Sequence, residues 1–144
     1  MFVSLVAVFA GIQFIPANLN QNSSVPGKDI ILYYDPPEEV ASLIKTSCYD
    51  CHSNNTVYPW YNKIQPISLL LEKHIKDAKE ELNFSEFASY SKRKQKSKLK
   101  SVINQIDKNE MPLKGYLILH QDAGLSESEK ETIINWMKDI KDSL

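Results

Sequence analysis

The sequence predicts a mostly α-helical domain preceded by an apolar amino-terminal segment, and three observations carry that reading. Apolar residues recur at helical spacing in four stretches of the chain. Two segments carry strong helix-start signals, Asp35-Pro36-Pro37-Glu38 and Leu125-Ser126-Glu127-Ser128-Glu129. Sustained β-branched alternation is rare, and the 4 glycines and 7 prolines punctuate helices instead of hairpins. With 144 residues the chain suits one domain, and 42% hydrophobic against 24% charged residues supports a packed core. A net charge of −1 excludes nucleic acid as a main partner, because no basic excess exists to neutralise phosphates.

Residues 1–16 form the apolar segment, opening MFVSLVAVFAGIQFI without a charge. About fifteen apolar positions fit the h-region of a signal peptide and fall short of the roughly twenty that span a bilayer. No Lys or Arg precedes it, and no small-x-small cleavage site follows. A cleaved signal and an uncleaved membrane anchor both fit, and a buried terminal helix is the third reading. Residues 17–29, including NLNQNSSVPG, are polar and turn-rich and read as a linker. Residues 30–144 form the domain.

Residues 30–34 are a short apolar run that reads as a strand or an extended lead-in. A helix then starts with Asp35 as N-cap, Pro36 at its first position and Glu38 three residues past the cap. Val40, Leu43, Ile44, Ser47, Cys48 and Cys51 fall on one stripe, so this helix carries its core face into Cys48-Tyr49-Asp50-Cys51-His52. C-x-x-C-H is the spacing at which a c-type haem is attached. Residues three and four apart share a helix face, so Cys48, Cys51 and His52 can address one flat ligand. The two thiols would form thioethers with the porphyrin vinyl groups, and the His52 imidazole would bind iron. A disulfide, a thioredoxin-like redox pair and half of a zinc site use the same cysteine spacing. A disulfide leaves His52 unexplained, the redox pair lacks a βαβ pattern, and zinc would need His52 with His74 or His120.

After a loop at residues 53–56, Val57-Tyr58-Pro59-Trp60-Tyr61 supplies aromatics that either wall a porphyrin, with the Trp60 indole or a tyrosine hydroxyl meeting a propionate, or fill the core. A second helix over residues 66–82 has Ile67, Leu70, Leu71, His74, Ile75, Ala78 and Leu82 on its inner stripe. His74 is therefore either a core histidine or an alternative iron ligand. Asn83 ends that helix, and Phe84-Ser85-Glu86-Phe87 begins a short helical turn. Lys92, Arg93, Lys94, Lys96, Lys98 and Lys100 line an amphipathic helix continued by Leu99, Val102, Ile103 and Ile106. Its charges form a solvated face or a docking patch for an acidic redox partner or anionic lipid. Pro112 stops this helix and biases Met111 towards an extended conformation, freeing its thioether to act as sixth iron ligand. Met137 sits with Ile133, Ile134 and Ile140 on an inner helix face, and His120 lies in a loop, so both are poorer candidates. The closing helix has Ser126 as N-cap, Glu129 completing a capping box, and Trp136 as a large contact for the helix leading into Cys48.

A helix entering C-x-x-C-H, a Met-Pro loop and a capped closing helix together resemble the class I cytochrome c fold. More narrowly, CYDCHSNNTVYPWY at residues 48–61, His74-Ile75, LNFSEF at residues 82–87, MPL at residues 111–113 and the closing helix are similar to the bacterial haem-binding domain family of c-type cytochromes. The similarity covers about residues 33–140. It implies a cytochrome c-like helical domain around one covalent haem c, with Cys48 and Cys51 as thioether positions and His52 as proximal ligand. Met111 as distal ligand follows from the broader cytochrome pattern. Where the family has a Gly-Arg pair after His-Ile, this chain has Ala78-Lys79, and lysine lacks the planar fork with which arginine grips a carboxylate.

The expected protein is thus an exported, periplasmic monohaem cytochrome domain. It passes single electrons to redox partner proteins in the cell envelope, with no feature pointing to an oligomer. A six-coordinate iron leaves no open site, which favours a carrier over an enzyme. The alternative is a haem-based enzyme or sensor for peroxide or a diatomic gas, with an open distal face near His74.

Overall fold

A computed structural model of the chain describes residues 2–22 and 27–144. Met1 and residues 23–26, the latter part of the expected linker, lie outside the described residues. The described residues are mostly helical and contain no strand. The helices are α1 (Phe2–Ile12), α2 (Ile30–Tyr34), α3 (Glu38–Ser47), α4 (Tyr49–His52), α5 (Ile67–Glu81), α6 (Lys92–Asp107), α7 (Lys114–Leu117) and α8 (Glu127–Ser143). Short 3₁₀ turns fill Trp60–Lys63, Phe84–Ser89 and Gln121–Ala123.

The closing helix organises the core. Its start is fixed as expected, with the Ser126 Oγ accepting from the Glu129 N–H and the Glu129 carboxylate accepting from the Ser126 N–H at 2.7 Å. From there α8 packs against α6 and α3. It buries Ile133, Ile134, Met137 and Ile140 against Leu99 and Ile106 of α6 and Val40 and Ile44 of α3. Phe84, Phe87, Leu82 and Ile30 complete the cluster, with Trp136 partly buried against it. Each such side chain contributes on the order of 1.5–3 kcal/mol on burial. Met137 is a core residue, fully enclosed.

Three local expectations are corrected. Residues 30–34 form a helix instead of a strand, because the Asp29 carboxylate accepts from the Ile31 N–H at 2.9 Å and caps it. Asp35 ends that helix in the left-handed region, at φ 44°, so it is not the N-cap of α3, which starts after Pro37. The helix into the cysteine motif also breaks: Cys48, at φ −128° and ψ −37°, closes α3 and opens α4.

At the amino end α1 spans 11 residues, about 16 Å at 1.5 Å per residue. No described helix is long and apolar enough to cross a membrane. Nor does the segment after α1 hang loose. Gln13 and Gln65 clasp each other, with the Gln65 N–H donating to the Gln13 side-chain oxygen at 3.0 Å and the Gln13 amide donating to the Gln65 carbonyl at 3.2 Å. Asn20 then bonds Ser53, Thr56 and Tyr58, and the Asn22 N–H donates to the Asn54 carbonyl at 2.9 Å. This half of the expected linker is a strap laid on the loop that follows His52.

Candidate functional site

The break at Cys48 sets the geometry of the cysteine motif. The Cys48 N–H ends α3 on the Ile44 carbonyl at 3.0 Å, while the Cys48 carbonyl accepts from the His52 N–H at 3.0 Å and starts α4. This one turn brings Cys48 and His52 onto the same cavity. No disulfide joins Cys48 to Cys51. Burial, then the neighbouring Cys51, pushes the Cys48 thiol up to about 12. Burial, then Asp50, pushes the Cys51 thiol up to about 11. Both are held as protonated thiols at neutral pH.

His52 is fixed from behind. Its Nδ1 lies 3.1 Å from the Ala78 carbonyl and 3.0 Å from the Leu82 carbonyl, at the end of α5, where the Ala78 carbonyl also accepts from the Leu82 N–H at 2.9 Å. Both partners only accept, so Nδ1 carries the proton and Nε2 keeps its lone pair. Burial holds the imidazole below its ordinary pKa, opposed in part by the two carbonyls, and it is therefore neutral at pH 7. Phe84 meets His52 edge-on at 6.2 Å and stacks on Tyr49 at 5.9 Å, which steadies the turn from the core side.

The cavity, of about 200 Å³, has walls from Leu82, Phe84, Val102, Ile106, Pro112 and Leu125, and Met111 enters it beside Pro112. Ser47, Glu81, Lys98, Ser101 and Gln105 supply its polar lining. The Met111 segment is held to α6: the N–H groups of Glu110 and Met111 both donate to the Gln105 carbonyl, at 2.9 and 3.3 Å. Asn109, at φ 57°, makes the reversal, and the Lys130 ammonium donates to its side-chain oxygen.

The loop after His52 was legible as a loop, but its polar residues were not legible as structure. Ser53, Asn54 and Thr56 are buried. The Thr56 hydroxyl donates to the Asp50 carbonyl at 2.7 Å, the Asn54 N–H to the Ser85 hydroxyl at 3.1 Å, and the Asn83 amide to the Asn54 side-chain oxygen at 2.8 Å. Ser85 and Asn83 lie about thirty residues from Asn54, beyond any local signal, whereas Asp50 is six residues from Thr56.

A second cluster gathers beside Cys51, which does not line the cavity. Tyr116 donates to Asp50 at 2.8 Å and stacks on His120 at 4.1 Å, and the Tyr61 hydroxyl pairs with His120 Nε2 at 2.7 Å. Thus Tyr61 and His120 meet each other and not the cavity. Trp60 is 75% exposed, meets Tyr61 edge-on and does not line the cavity. His74, expected on the inner face of its helix, is exposed on α5 and lies away from the cavity. Lys79 is committed to the Asn20 side-chain oxygen at 2.5 Å. Among the described residues no three His, Cys, Asp or Glu side chains converge to hold a metal ion.

Compared with protein families, residues 7–139 match the family described as a haem-binding domain. The chain belongs to the haem-binding domain family. Searches of the curated proteins and of the solved structures returned no match. The donor set of this haem-binding domain fits the group its family binds. A neutral imidazole with a free Nε2, a thioether on the same cavity, two unpaired thiols and apolar walls are the groups that hold haem. The cavity is smaller than the roughly 300–1,000 Å³ of ordinary ligand sites.

Proposed function

We propose that the domain carries one covalent haem c and transfers single electrons. In this reading Cys48 and Cys51 are the thioether positions, His52 is the proximal ligand and Met111 the distal one. The observation that supports it most is the meeting of Cys48, His52 and Met111 on one cavity, with His52 already turned by its two carbonyl partners. A haem held there supplies reversible one-electron chemistry at iron. The residues of this chain do the rest. The Ala78 and Leu82 carbonyls fix the tautomer of His52 and raise its basicity as a ligand. Leu82, Phe84, Val102 and Ile106 exclude water, and a thioether from Met111 favours the ferrous state. The cytochrome c-like arrangement belongs to this reading, as does a location outside the cytoplasm, where such motifs receive their haem.

The basic face of α6 is the proposed contact for an acidic redox partner in the cell envelope. Lys92, Arg93, Lys94, Lys96 and Lys100 are exposed, Lys94 lying over the Tyr90 ring, and Lys98 reaches Glu81. Neutralising the exposed five should slow electron transfer and flatten its salt dependence.

The deciding experiment is the optical spectrum, oxidised and reduced, of protein matured with a c-type assembly system, for wild type and Met111→Ala. Covalently retained haem with a weak near-infrared sulfur-to-iron band that the substitution removes supports the carrier. Covalent haem without that band, and with rapid carbon monoxide binding, supports a haem sensor or enzyme instead. Haem that washes away under denaturing conditions overturns the covalent reading.

A further inference from the structure

Haem carries two carboxylates, and a protein that takes it into an apolar cavity must meet them with water or with a cation. The cavity of Cys48, His52 and Met111 offers one cationic side chain, Lys98. Its side chain is 25% exposed, so the stem lies against the cavity rim while the ammonium reaches outward. Its present partner is weak: Glu81 Oε2 lies 3.4 Å away, and that side chain is 83% exposed. An ion pair with so exposed a carboxylate is weak and is readily exchanged for a better acceptor. Ser101 and Gln105 follow Lys98 at three and seven positions on the same face of α6, and both line the cavity. Polar groups therefore run in a row beside the apolar pair Val102 and Ile106. Lys79, where the family pattern pointed, lies elsewhere and is bonded to Asn20.

We propose that Lys98 is the cation that receives a haem propionate, leaving Glu81 to do so, with the Ser101 hydroxyl as the adjacent donor. The proposal rests on assigning this cavity to haem. It does not depend on the thioether bonds or on the distal ligand. An ammonium-to-carboxylate hydrogen bond that is partly shielded from water contributes about 1.5–3 kcal/mol, and 1.4 kcal/mol is a factor of ten in affinity.

The test titrates the full chain, produced without the attachment machinery, with Fe(III) protoporphyrin IX and with its dimethyl ester, in which both carboxylates are masked. The wild-type chain should prefer the free acid by about tenfold or more. Lys98→Met should lose that preference while binding the ester as wild type does, which also reports that the variant is folded. Lys98→Arg should keep it. A Lys98→Met chain that still discriminates between the two porphyrins as wild type does overturns the proposal. A wild-type preference that Lys98→Met loses, alongside haem that washes away under denaturing conditions from chain matured with a c-type assembly system, would leave Lys98 in its role and remove the covalent reading. No measurable affinity of the wild-type chain for ferric haem would overturn both.

Discussion

The Lys130 ammonium donates to the side-chain oxygen of Asn109, twenty-one residues earlier, and so ties α8 to the turn that delivers Met111. The same ammonium lies 2.5 Å from Glu127, and Lys130 is buried although charged. A burial of this kind positions a loop more than it stabilises a fold, since a hydrogen bond to a charged group nets about 1.5–3 kcal/mol at most. Lys130→Met keeps the aliphatic stem and removes the tie. Amide exchange at Glu110 and Met111 should accelerate, with global stability falling by only about 1 kcal/mol. Exchange at those amides unchanged from wild type would show that the Gln105 carbonyl holds the segment alone.

Phe84 joins the core to the cysteine motif through its contacts with Tyr49 and His52. Phe84→Ala should cost about 3–5 kcal/mol in urea unfolding of the apo-chain, the range for emptying a buried aromatic site. Phe84→Leu should recover most of that stability. If the alanine variant lost less than 1 kcal/mol, the turn would be supported from elsewhere.

Thiol reactivity should follow burial. At pH 8 a thiol that titrates near 11, as Cys51 does, holds about one-hundredth of the thiolate of one at 9.0, and Cys48, near 12, about one-thousandth. Iodoacetamide should therefore label the folded apo-chain about a hundredfold or more slower than the urea-denatured chain. The sign for stability follows: the folded state resists losing these protons, so stability is unaffected below pH 9 and falls as pH rises towards 11 and 12. Equal labelling rates in the folded and denatured chains would contradict the buried placement.

The capping box of α8 makes a prediction on the acid side. Its two bonds to Ser126 hold the Glu129 carboxyl below its ordinary value of 4.5. A carboxyl depressed in the folded state adds stability above its unfolded value, and this is lost as pH falls below 4.5. Glu129→Gln should remove that acid-side component, while Ser126→Ala should cost about 1 kcal/mol at pH 7. Thermal unfolding from pH 3 to 7 checks both, and identical slopes for wild type and Glu129→Gln would rule the effect out.

Legibility in the sequence followed the range of the interaction. The Ser126–Glu129 box is local and stands where the sequence placed it, whereas α6 ends at Asp107, ahead of Pro112, with Asn109 making the reversal. Residues 30–34 read as a strand because their apolar and aromatic run suits one, but the Asp29 cap outweighed that preference. The inner stripe of α5 holds at Leu71, Ile75, Ala78 and Leu82 but not at Ile67, Leu70 and His74. The helix buries Ser68 and Ile75 and leaves Ile67 and Leu70 exposed, because small Ser68 lets it approach the turn holding Asn62. His74 is exposed with Ile67 and Leu70. The motif residues Cys48, Cys51 and His52 were legible as a set; the separation of Cys51 from the cavity, and the place of Lys98 on it, depend on packing between distant segments.

The strap through Asn20 and the clasp of Gln13 with Gln65 leave no slack between α1 and the turn that bears His52. Whatever grips α1 therefore grips the cavity as well, as a bracket holds an instrument at one distance and one angle. The distance from such a body to the cavity would be one fixed value, without the averaging that a swinging tether imposes.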